Sequence, residues 1–277
     1  VSCPGDVILD GETRKWRAPG NGAVGTTTRA RITTMAVLDR RGRDIHGLYG
    51  SSDNWMNIGK ALSEYFSVYL VDQRNHGHSP HSDKHNYYLM RDDLQEFMKI
   101  QRIEKANIIG HSMGGKTALF FSMAYPEMVQ KLIVVDIAPT PYQMLAESNP
   151  HALNHLNIIN ALYNLNTDHI STLKDADRQL AHIIPYQRVR QFLLKNLKRN
   201  KDGTSRWLLN IKTIRNELPA ILDGLDPEEH QNNNESISFP ILFIKGENSD
   251  YIQEKDQEAI LKIFPHALIQ TIEGDGH

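Results

Sequence analysis

The sequence is poor in cysteine, because Cys3 is the only one among 277 residues. It therefore excludes an internal disulfide framework and a zinc site built on clustered cysteine thiolates. The sequence also lacks a run of about 18 apolar residues, the length needed to span a bilayer. Its first residues lack the basic-then-apolar pattern of a secretory signal. Together these features favour a protein of the reducing cytoplasm that has no membrane partner.

The sequence also lacks an excess of positive charge. Its 31 Lys and Arg residues face 33 Asp and Glu residues, which gives a formal net charge of −2. Sequence-independent binding to nucleic acid needs clustered positive charge to neutralise phosphates, so a nucleic-acid partner is not expected. Hydrophobic residues make up 40 % and charged residues 23 % of the chain, which indicates a folded protein rather than a disordered one.

Residues 1–44 differ in composition from the rest of the chain. They hold eight Lys or Arg residues, five Asp or Glu residues and six of the 18 glycines, without a steady hydrophobic periodicity. Only the short apolar run at 36–38 could supply a strand here. We therefore expect residues 1–44 to form an atypical N-terminal segment.

From residue 45 onward, short apolar runs alternate with helical patterns, which is typical of βαβ units and a parallel sheet. The runs are rich in Val and Ile, as are strands that are buried on both faces. The predicted strands are 68–71, 106–109, 132–135, 241–244 and 267–272. The predicted helices are 54–65, 89–100, 113–128 and 253–264. The fold class is therefore α/β, with a core formed by 45–138 and 236–277.

Residues 139–235 interrupt this alternation. Helical periodicity covers 153–165, 170–183 and 189–197, and Asp202-Gly203 marks a turn. An insertion of helices between two strands of an α/β sheet predicts a helical cap over the core.

A candidate nucleophile lies in the pattern Gly-x-Ser-x-Gly at 110–114. The pattern follows a predicted strand and precedes a predicted helix, where a sharp turn exposes the Ser112 hydroxyl at the carboxyl edge of the sheet. Small residues at Gly110 and Gly114 let the strand and the helix approach each other. The N-terminus of the helix also favours negative charge that develops beside it.

A serine hydroxyl needs a base that removes its proton, and the base in turn needs a carboxylate that orients it. His277 is the candidate base, because it follows the last predicted strand within Gly-Asp-Gly-His. Asp136 and Asp250 each follow a predicted strand and precede His277 in the chain, so the pattern leaves both acids open. Asp72 precedes Ser112 and is expected to order a loop.

Two backbone N–H groups are candidates for the oxyanion hole, the site that stabilises the charged oxygen of the reaction intermediate. One belongs to Met113, which directly follows the candidate nucleophile. The other belongs to Leu48, because Gly47 lets the loop at 46–50 turn this N–H inward.

The remaining histidines do not predict a metal site. His76, His78, His81 and His85 are close in sequence, but no carboxylate spacing beside them is typical of metal ligation. His111 lies inside the turn around Ser112 and is expected to be structural. The chemistry of these residues requires neither a metal nor an organic cofactor.

The order and spacing of several motifs resemble the α/β-hydrolase-fold esterases. The finer resemblance is to the YbfF-like bacterial esterases and their mitochondrial abhydrolase relatives, and it covers residues 45–277. The motifs are His-Gly at 46–47, Asp-Gln-Arg-Asn-His-Gly-His-Ser at 72–79, Gly-His-Ser-Met-Gly-Gly-Lys at 110–116, Val-Asp-Ile-Ala-Pro at 135–139, Gly-Glu-Asn-Ser at 246–249 and Gly-Asp-Gly-His at 274–277.

This resemblance implies the triad Ser112, His277 and Asp136. The YbfF-like group carries a serine, Ser249 here, where many α/β hydrolases carry the acid. The resemblance implies that Ser249 supports Asp136 by a hydrogen bond, and it leaves Asp250 as the alternative acid. Charged residues at 40–44 stand where the family has an apolar strand, and the sequence ends on His277 where the family continues into a helix. The N-terminal strands and the C-terminal helix are therefore expected to be atypical or missing.

The function that the resemblance implies is a serine hydrolase that cleaves small carboxylic esters, with acyl thioesters as a further option. Thioesterase, amidase and carbon–carbon bond hydrolase activities remain alternatives among enzymes. A non-catalytic binding protein or an inactive fragment is the alternative from another class. Tyr142, Trp207 and Tyr251 are candidates for the walls of an acyl pocket, although core packing explains them equally well. The oligomeric state is not predicted.

Overall fold

The computed structural model describes residues 9–10, 13–14, 33–39, 47–142, 150–170, 172–230 and 237–276. Side chains are described from residue 47 onward, except those of 150–153. The strands are β1 (Leu9–Asp10), β2 (Thr13–Arg14), β3 (Thr33–Asp39), β4 (Ser67–Asp72), β5 (Ala106–His111), β6 (Val129–Val135), β7 (Leu197–Arg199), β8 (Ser205–Trp207), β9 (Ile241–Gly246) and β10 (Leu268–Ile272). All five predicted strands are confirmed, as β4, β5, β6, β9 and β10.

A six-stranded sheet in the order β10-β9-β6-β5-β3-β4 forms the centre of the fold. The pairs β10–β9, β9–β6 and β6–β5 are parallel. Parallel strands end at the same edge of the sheet, so the segments that follow β5, β6 and β9 lie side by side. These segments begin at Ser112, Asp136 and Glu247, which are residues of three different motifs.

The strand β3 comes from the N-terminal segment. It pairs antiparallel with β4, where Leu38 lies opposite Val68, and antiparallel with β5, where Ala36 lies opposite Ile109. The short strand considered at 36–38 therefore exists, and it extends over seven residues. It is the atypical member of an otherwise parallel sheet, since its direction is opposite to that of both neighbours.

Helices connect the strands of the core. They are α1 (Met56–Leu62), α2 (Tyr87–Ile100), α3 (Met113–Ala124) and α10 (Glu254–Ile263). The Asn86 side chain accepts a hydrogen bond from Leu89 N–H and so caps the start of α2. The helix predicted over 113–128 ends at Ala124, because Pro126 cannot donate a helical hydrogen bond, and a short 3₁₀ turn follows at Pro126–Met128.

Residues 139–235, called the cap segment from here on, lie between β6 and β9 in the chain. Their helices are α4 (Pro150–Asn164), α5 (Leu173–Leu180), α6 (Gln187–Leu194), α7 (Ile211–Asn216), α8 (Leu218–Leu222) and α9 (Pro227–His230). The segment also contains the antiparallel pair β7–β8. The helix predicted over 189–197 was wrong at its end, because α6 stops at Leu194 and β7 begins at Leu197. Gly203, with φ +91°, makes the turn between the two strands.

The hydrophobic core covers both faces of the sheet. Phe97 of α2 and Phe121 of α3 are fully buried, and so is Phe243 of β9, which packs against Phe264 with ring centroids 6.2 Å apart. This rigid packing holds the strand ends in fixed positions. Within the described residues, no helix combines the length and the apolar character that crossing a membrane requires.

Candidate active site

Ser112 lies on a sharp turn between β5 and α3. Its backbone has φ +52° and ψ −123°, a conformation that residues with a side chain rarely adopt. Ser112 N–H donates to the Val135 carbonyl at 3.0 Å, and Lys116 N–H donates to the Ser112 carbonyl at 3.1 Å. The turn is therefore fixed between the end of β6 and the first turn of α3, and the serine is 94 % buried at this edge.

The approach of strand and helix at this turn requires glycine. A Cβ atom on Gly110 would lie 2.5 Å from the Gly114 carbonyl oxygen, and one on Gly115 would lie 2.6 Å from the Ile137 side chain. Any side chain at either position would push α3 away from the sheet. Gly110 thus serves the close contact that the sequence predicted, and Gly115 is a further participant that the pattern did not indicate.

Asp136 directly follows β6 and has a left-handed backbone with φ +53°. Its carboxylate accepts a hydrogen bond from the Ser249 hydroxyl at 2.6 Å and one from Gly246 N–H at 3.2 Å. Ser249 in turn accepts from Tyr251 N–H at 3.3 Å. The structure therefore brings Asp136 and Ser249 together in a buried contact between the ends of β6 and β9.

Asp250 and His277 are the two other residues predicted for the triad. Asp250 is exposed, one residue beyond the buried Ser249. His277 lies outside the described residues, so its position relative to Ser112 and Asp136 stays a prediction. The strand that leads toward it, β10, pairs with β9, and the Asn248 N–H donates to the Asp275 carbonyl at 2.9 Å.

The loop at 47–50 lies against the serine turn. A Cβ atom on Gly47 would lie 2.9 Å from the Ser112 Cβ and 2.8 Å from the His111 ring, so only glycine permits this approach. Gly50 N–H donates to the Gly47 carbonyl at 3.1 Å, which makes 47–50 a tight turn that contains Leu48. On the other side, Met113 is the first residue of α3, where N–H groups have no acceptor within the helix.

Two aromatic side chains lie beside the contact between Asp136 and Ser249. Tyr251 packs edge-on against Tyr142, with ring centroids 5.9 Å apart. Burial, and then the charge of Asp136, raise the pKa of the Tyr251 phenol to about 12. Trp207 lies elsewhere, in the lining of a cavity of about 270 Å³ within the cap segment and beside His81. Tyr251 is therefore near Asp136 and contacts Tyr142, whereas Trp207 is not part of that group.

Lys116, four residues after Ser112, is buried although it carries an amine. Its Nζ donates to the carbonyls of Thr140 at 2.8 Å and Asp223 at 2.5 Å, and lies 4.4 Å from the centre of the Tyr142 ring. Desolvation lowers the pKa of Lys116 to about 7, against an opposing effect of the Asp223 and Asp256 charges. The motif around Ser112 does not predict these hydrogen bonds of Lys116, because both acceptor carbonyls belong to the cap segment.

The loop after β4 is held by polar contacts. Asp72 accepts from Ser52 N–H and from His78 N–H, both at 2.9 Å, so it orders two loops as predicted. His76 and His85 are fully buried with ring centroids 5.4 Å apart, and burial lowers the pKa of both, that of His76 to about 4. Within the described ranges, no group of three or more His, Cys, Asp or Glu side chains could hold a metal ion.

A comparison with protein families agrees with this geometry. The model of the family described as the alpha/beta hydrolase fold matches residues 45–277. The chain belongs to the α/β-hydrolase-fold family. Its Gly-x-Ser-x-Gly turn between β5 and α3 therefore lies in the strand-to-helix context in which α/β hydrolases carry this motif.

Individual α/β hydrolases similar to this chain include enzymes of bacteria and animals. It is 32 % identical to the esterase YbfF of Escherichia coli over 235 residues, which cover 84 % of each chain. It is 36 % identical to the mouse sn-1-specific diacylglycerol lipase ABHD11 over 238 residues, which cover 84 % of this chain and 73 % of the lipase. A solved structure of a marine microorganism esterase superimposes with a TM-score of 0.78 at 46 % identity, covering 84 % of this chain and 86 % of that one.

Proposed function

We propose that this chain hydrolyses carboxylic esters with Ser112 as the nucleophile. Its family and its esterase relatives support the reaction class. The observation that carries the assignment of the nucleophile is the strained Ser112 backbone at φ +52° and ψ −123° between β5 and α3. Strain of this kind persists where the surrounding structure enforces it, and such residues cluster at active sites.

The reaction proceeds through an acyl-enzyme. His277 removes the proton from the Ser112 hydroxyl while Ser112 Oγ bonds to the ester carbonyl carbon, and the N–H groups of Leu48 and Met113 bind the resulting oxyanion. The protonated His277 then donates its proton to the leaving alkoxide, so that the alcohol departs and the acyl group stays on Ser112. A water, deprotonated by His277, then attacks the acyl carbon, the bond from that carbon to Ser112 Oγ breaks, and the protonated His277 returns its proton to Ser112 Oγ as the carboxylic acid leaves.

Asp136 is the proposed acid that orients His277. Its two hydrogen bonds from Ser249 and Gly246 hold the carboxylate in one orientation, and its burial strengthens its interaction with a neighbouring imidazolium. Asp250 lacks this burial. Ser249 acts as the supporting residue of the acid, in the place where other α/β hydrolases carry the acid itself.

The cap segment is proposed to bound the acyl pocket, and small-molecule acyl esters are the proposed substrates. A panel of p-nitrophenyl esters and acyl thioesters of graded chain length, assayed with wild type and Ser112→Ala, tests the substrate class. Ester cleavage that Ser112→Ala abolishes supports the proposal. Preferential cleavage of thioesters would instead favour a thioesterase, and a folded wild type without activity on either series would favour a binding protein.

The acid assignment predicts different effects for two aspartates. Asp136→Asn is expected to lower kcat by roughly 10⁴-fold, as loss of the orienting carboxylate does in serine proteases. Asp250→Asn, its matched control on the neighbouring loop, is expected to change kcat little. Steady-state kinetics on a p-nitrophenyl ester measures both, and the reverse pattern would make Asp250 the acid.

A further inference from the structure

The candidate oxyanion loop contains a second strained residue. Tyr49, which directly follows Leu48, has φ +62° and is buried. A residue with a side chain disfavours this left-handed conformation, so something outside the turn must hold it. If Tyr49 relaxed, the peptide groups on either side of it would rotate, and the tight turn at 47–50, which also contains the Leu48 N–H, would have to readjust.

The cap segment supplies the contact that holds Tyr49. Asn196, between α6 and β7, donates from its side-chain Nδ2 to the Tyr49 carbonyl at 2.6 Å and to the Leu193 carbonyl at 3.2 Å. Both neighbours are acceptors, which fixes the orientation of the amide. Asn196 is 98 % buried, and within the described part of the chain its Oδ1 has no hydrogen-bond partner. The hydrogen bonds of the Asn196 side chain are therefore the two that its Nδ2 donates.

A second element of the cap segment contacts the same residue. The Tyr49 hydroxyl donates to the His155 carbonyl of α4 at 3.4 Å, and the two rings lie 5.9 Å apart. His155 Nε2 lies 3.2 Å from the Tyr251 hydroxyl, two residues beyond Ser249. The cap segment thus touches both the oxyanion loop and the loop that supports the acid.

We propose that Asn196 is a positioning residue for the oxyanion hole. By holding the Tyr49 carbonyl it keeps Tyr49 left-handed and directs the Leu48 N–H toward the reacting carbonyl, so that the hole is complete only while the cap segment is seated on the core. This inference rests on the proposed function. It adds to that function a coupling between the cap segment and catalysis.

The test compares Asn196→Ala with Asn200→Ala. Asn200 belongs to the same part of the cap segment but contacts Thr204 at 2.9 Å, not the oxyanion loop. Asn196→Ala is expected to lower kcat by about 10- to 100-fold, because a misplaced oxyanion donor loses part of the rate enhancement that a well-placed donor provides. KM is expected to change by less than about threefold, because the ground-state ester makes little use of the hole. Asn200→Ala is expected to match wild type.

A transition-state analogue separates positioning from general structural damage. A trifluoromethyl ketone forms a tetrahedral adduct on the serine whose oxyanion occupies the hole, so its affinity should fall in parallel with kcat in Asn196→Ala. If Asn196→Ala does not fold, Asn196→Leu, which keeps the side-chain volume and removes the donors, gives the same measurement. A folded variant with wild-type kcat, or with lower kcat but unchanged affinity for the ketone, overturns the inference.

The controls distinguish this inference from the proposed function. If wild type neither hydrolyses esters nor forms the ketone adduct, the proposed function itself fails. If wild type does both and the Asn196 variants behave like wild type, only the positioning role of Asn196 fails.

Discussion

Ser112 and Asp136 share an unusual backbone conformation, with φ of +52° and +53° at the ends of two adjacent strands. Each strained residue costs on the order of 1–3 kcal/mol of stability, which the packed sheet must offset. At Ser112 the strain directs the hydroxyl out of the sheet edge. At Asp136 it turns the carboxylate toward the loop after β9, where Ser249 meets it.

The strain at Ser112 predicts an order of stability between two variants at this position. Ser112→Gly should have a free energy of unfolding about 1 kcal/mol higher than Ser112→Ala, because glycine adopts positive φ without the steric cost of a Cβ atom. Urea unfolding followed by circular dichroism measures both. Equal stabilities, or a more stable alanine variant, would show that the turn at Ser112 is not strained.

At the residue level the sequence predicts part of the site. The glycine pattern is enough to locate Ser112, since the motif, the strand and the helix agree. It does not separate Asp136 from Asp250, because both follow strands. The contact of Asp136 with Ser249 at 2.6 Å and the exposure of Asp250 favour Asp136 as the proposed acid. Asn196 carries no pattern at all, because its partner Tyr49 is 147 residues away.

At the level of elements, Lys116 joins α3 to both connections of the cap segment. Its amine binds the Thr140 carbonyl on the outgoing connection and the Asp223 carbonyl on the returning one. Tyr142 N–H also donates to the Leu222 carbonyl at 2.7 Å, so the two connections are bonded to each other. The helix α3 therefore anchors the base of the cap segment.

The lowered pKa of Lys116 predicts a pH dependence of stability. Between its folded value of about 7 and its unfolded value near 10.5, the unfolded chain binds more protons, so Lys116 makes the free energy of unfolding rise with pH. Below about pH 7 both states are protonated and the cost of burying the charge is fully present. The rise should be about 1 kcal/mol per pH unit within this window.

Lys116→Met should abolish this component of the rise. Urea unfolding of wild type and variant at several values between pH 6 and 9.5 measures it, with the exposed Lys105→Met as a control that should parallel wild type. If the stabilities of wild type and Lys116→Met stay parallel across the range, Lys116 does not titrate in this window.

The elements predicted most accurately are those with a strong hydrophobic pattern. All five strands expected after residue 45 are present, because each is an apolar run that pairs within the sheet, although the edge strand β10 is mostly exposed and not buried on both faces as expected. The strands β7 and β8 were missed, since Leu197–Arg199 and Ser205–Trp207 are three residues long and mostly polar. Only the turn at Asp202-Gly203 was visible in the sequence. The direction of β3 depends on long-range pairing that local pattern does not encode.

On the scale of the whole molecule, hydrogen bonds join the cap segment to the core at several separated places. Besides Asn196 and Lys116, Asn210 donates from its side chain to the Asn75 side-chain oxygen at 2.9 Å, and its backbone N–H donates to the Asn75 carbonyl at 2.9 Å. Asn75 belongs to the loop after β4. These contacts join segments more than 100 residues apart, so they follow from the fold and not from any sequence motif.

Covalent labelling with a fluorophosphonate, followed by mass spectrometry of the proteolytic peptides, tests the central claim that Ser112 is the nucleophile. The probe reacts with a serine only where a base and an oxyanion hole activate it. We predict one adduct, on Ser112, in the wild type and none in Ser112→Ala. Folded wild type without an adduct, or an adduct on another residue that persists in Ser112→Ala, would contradict the account.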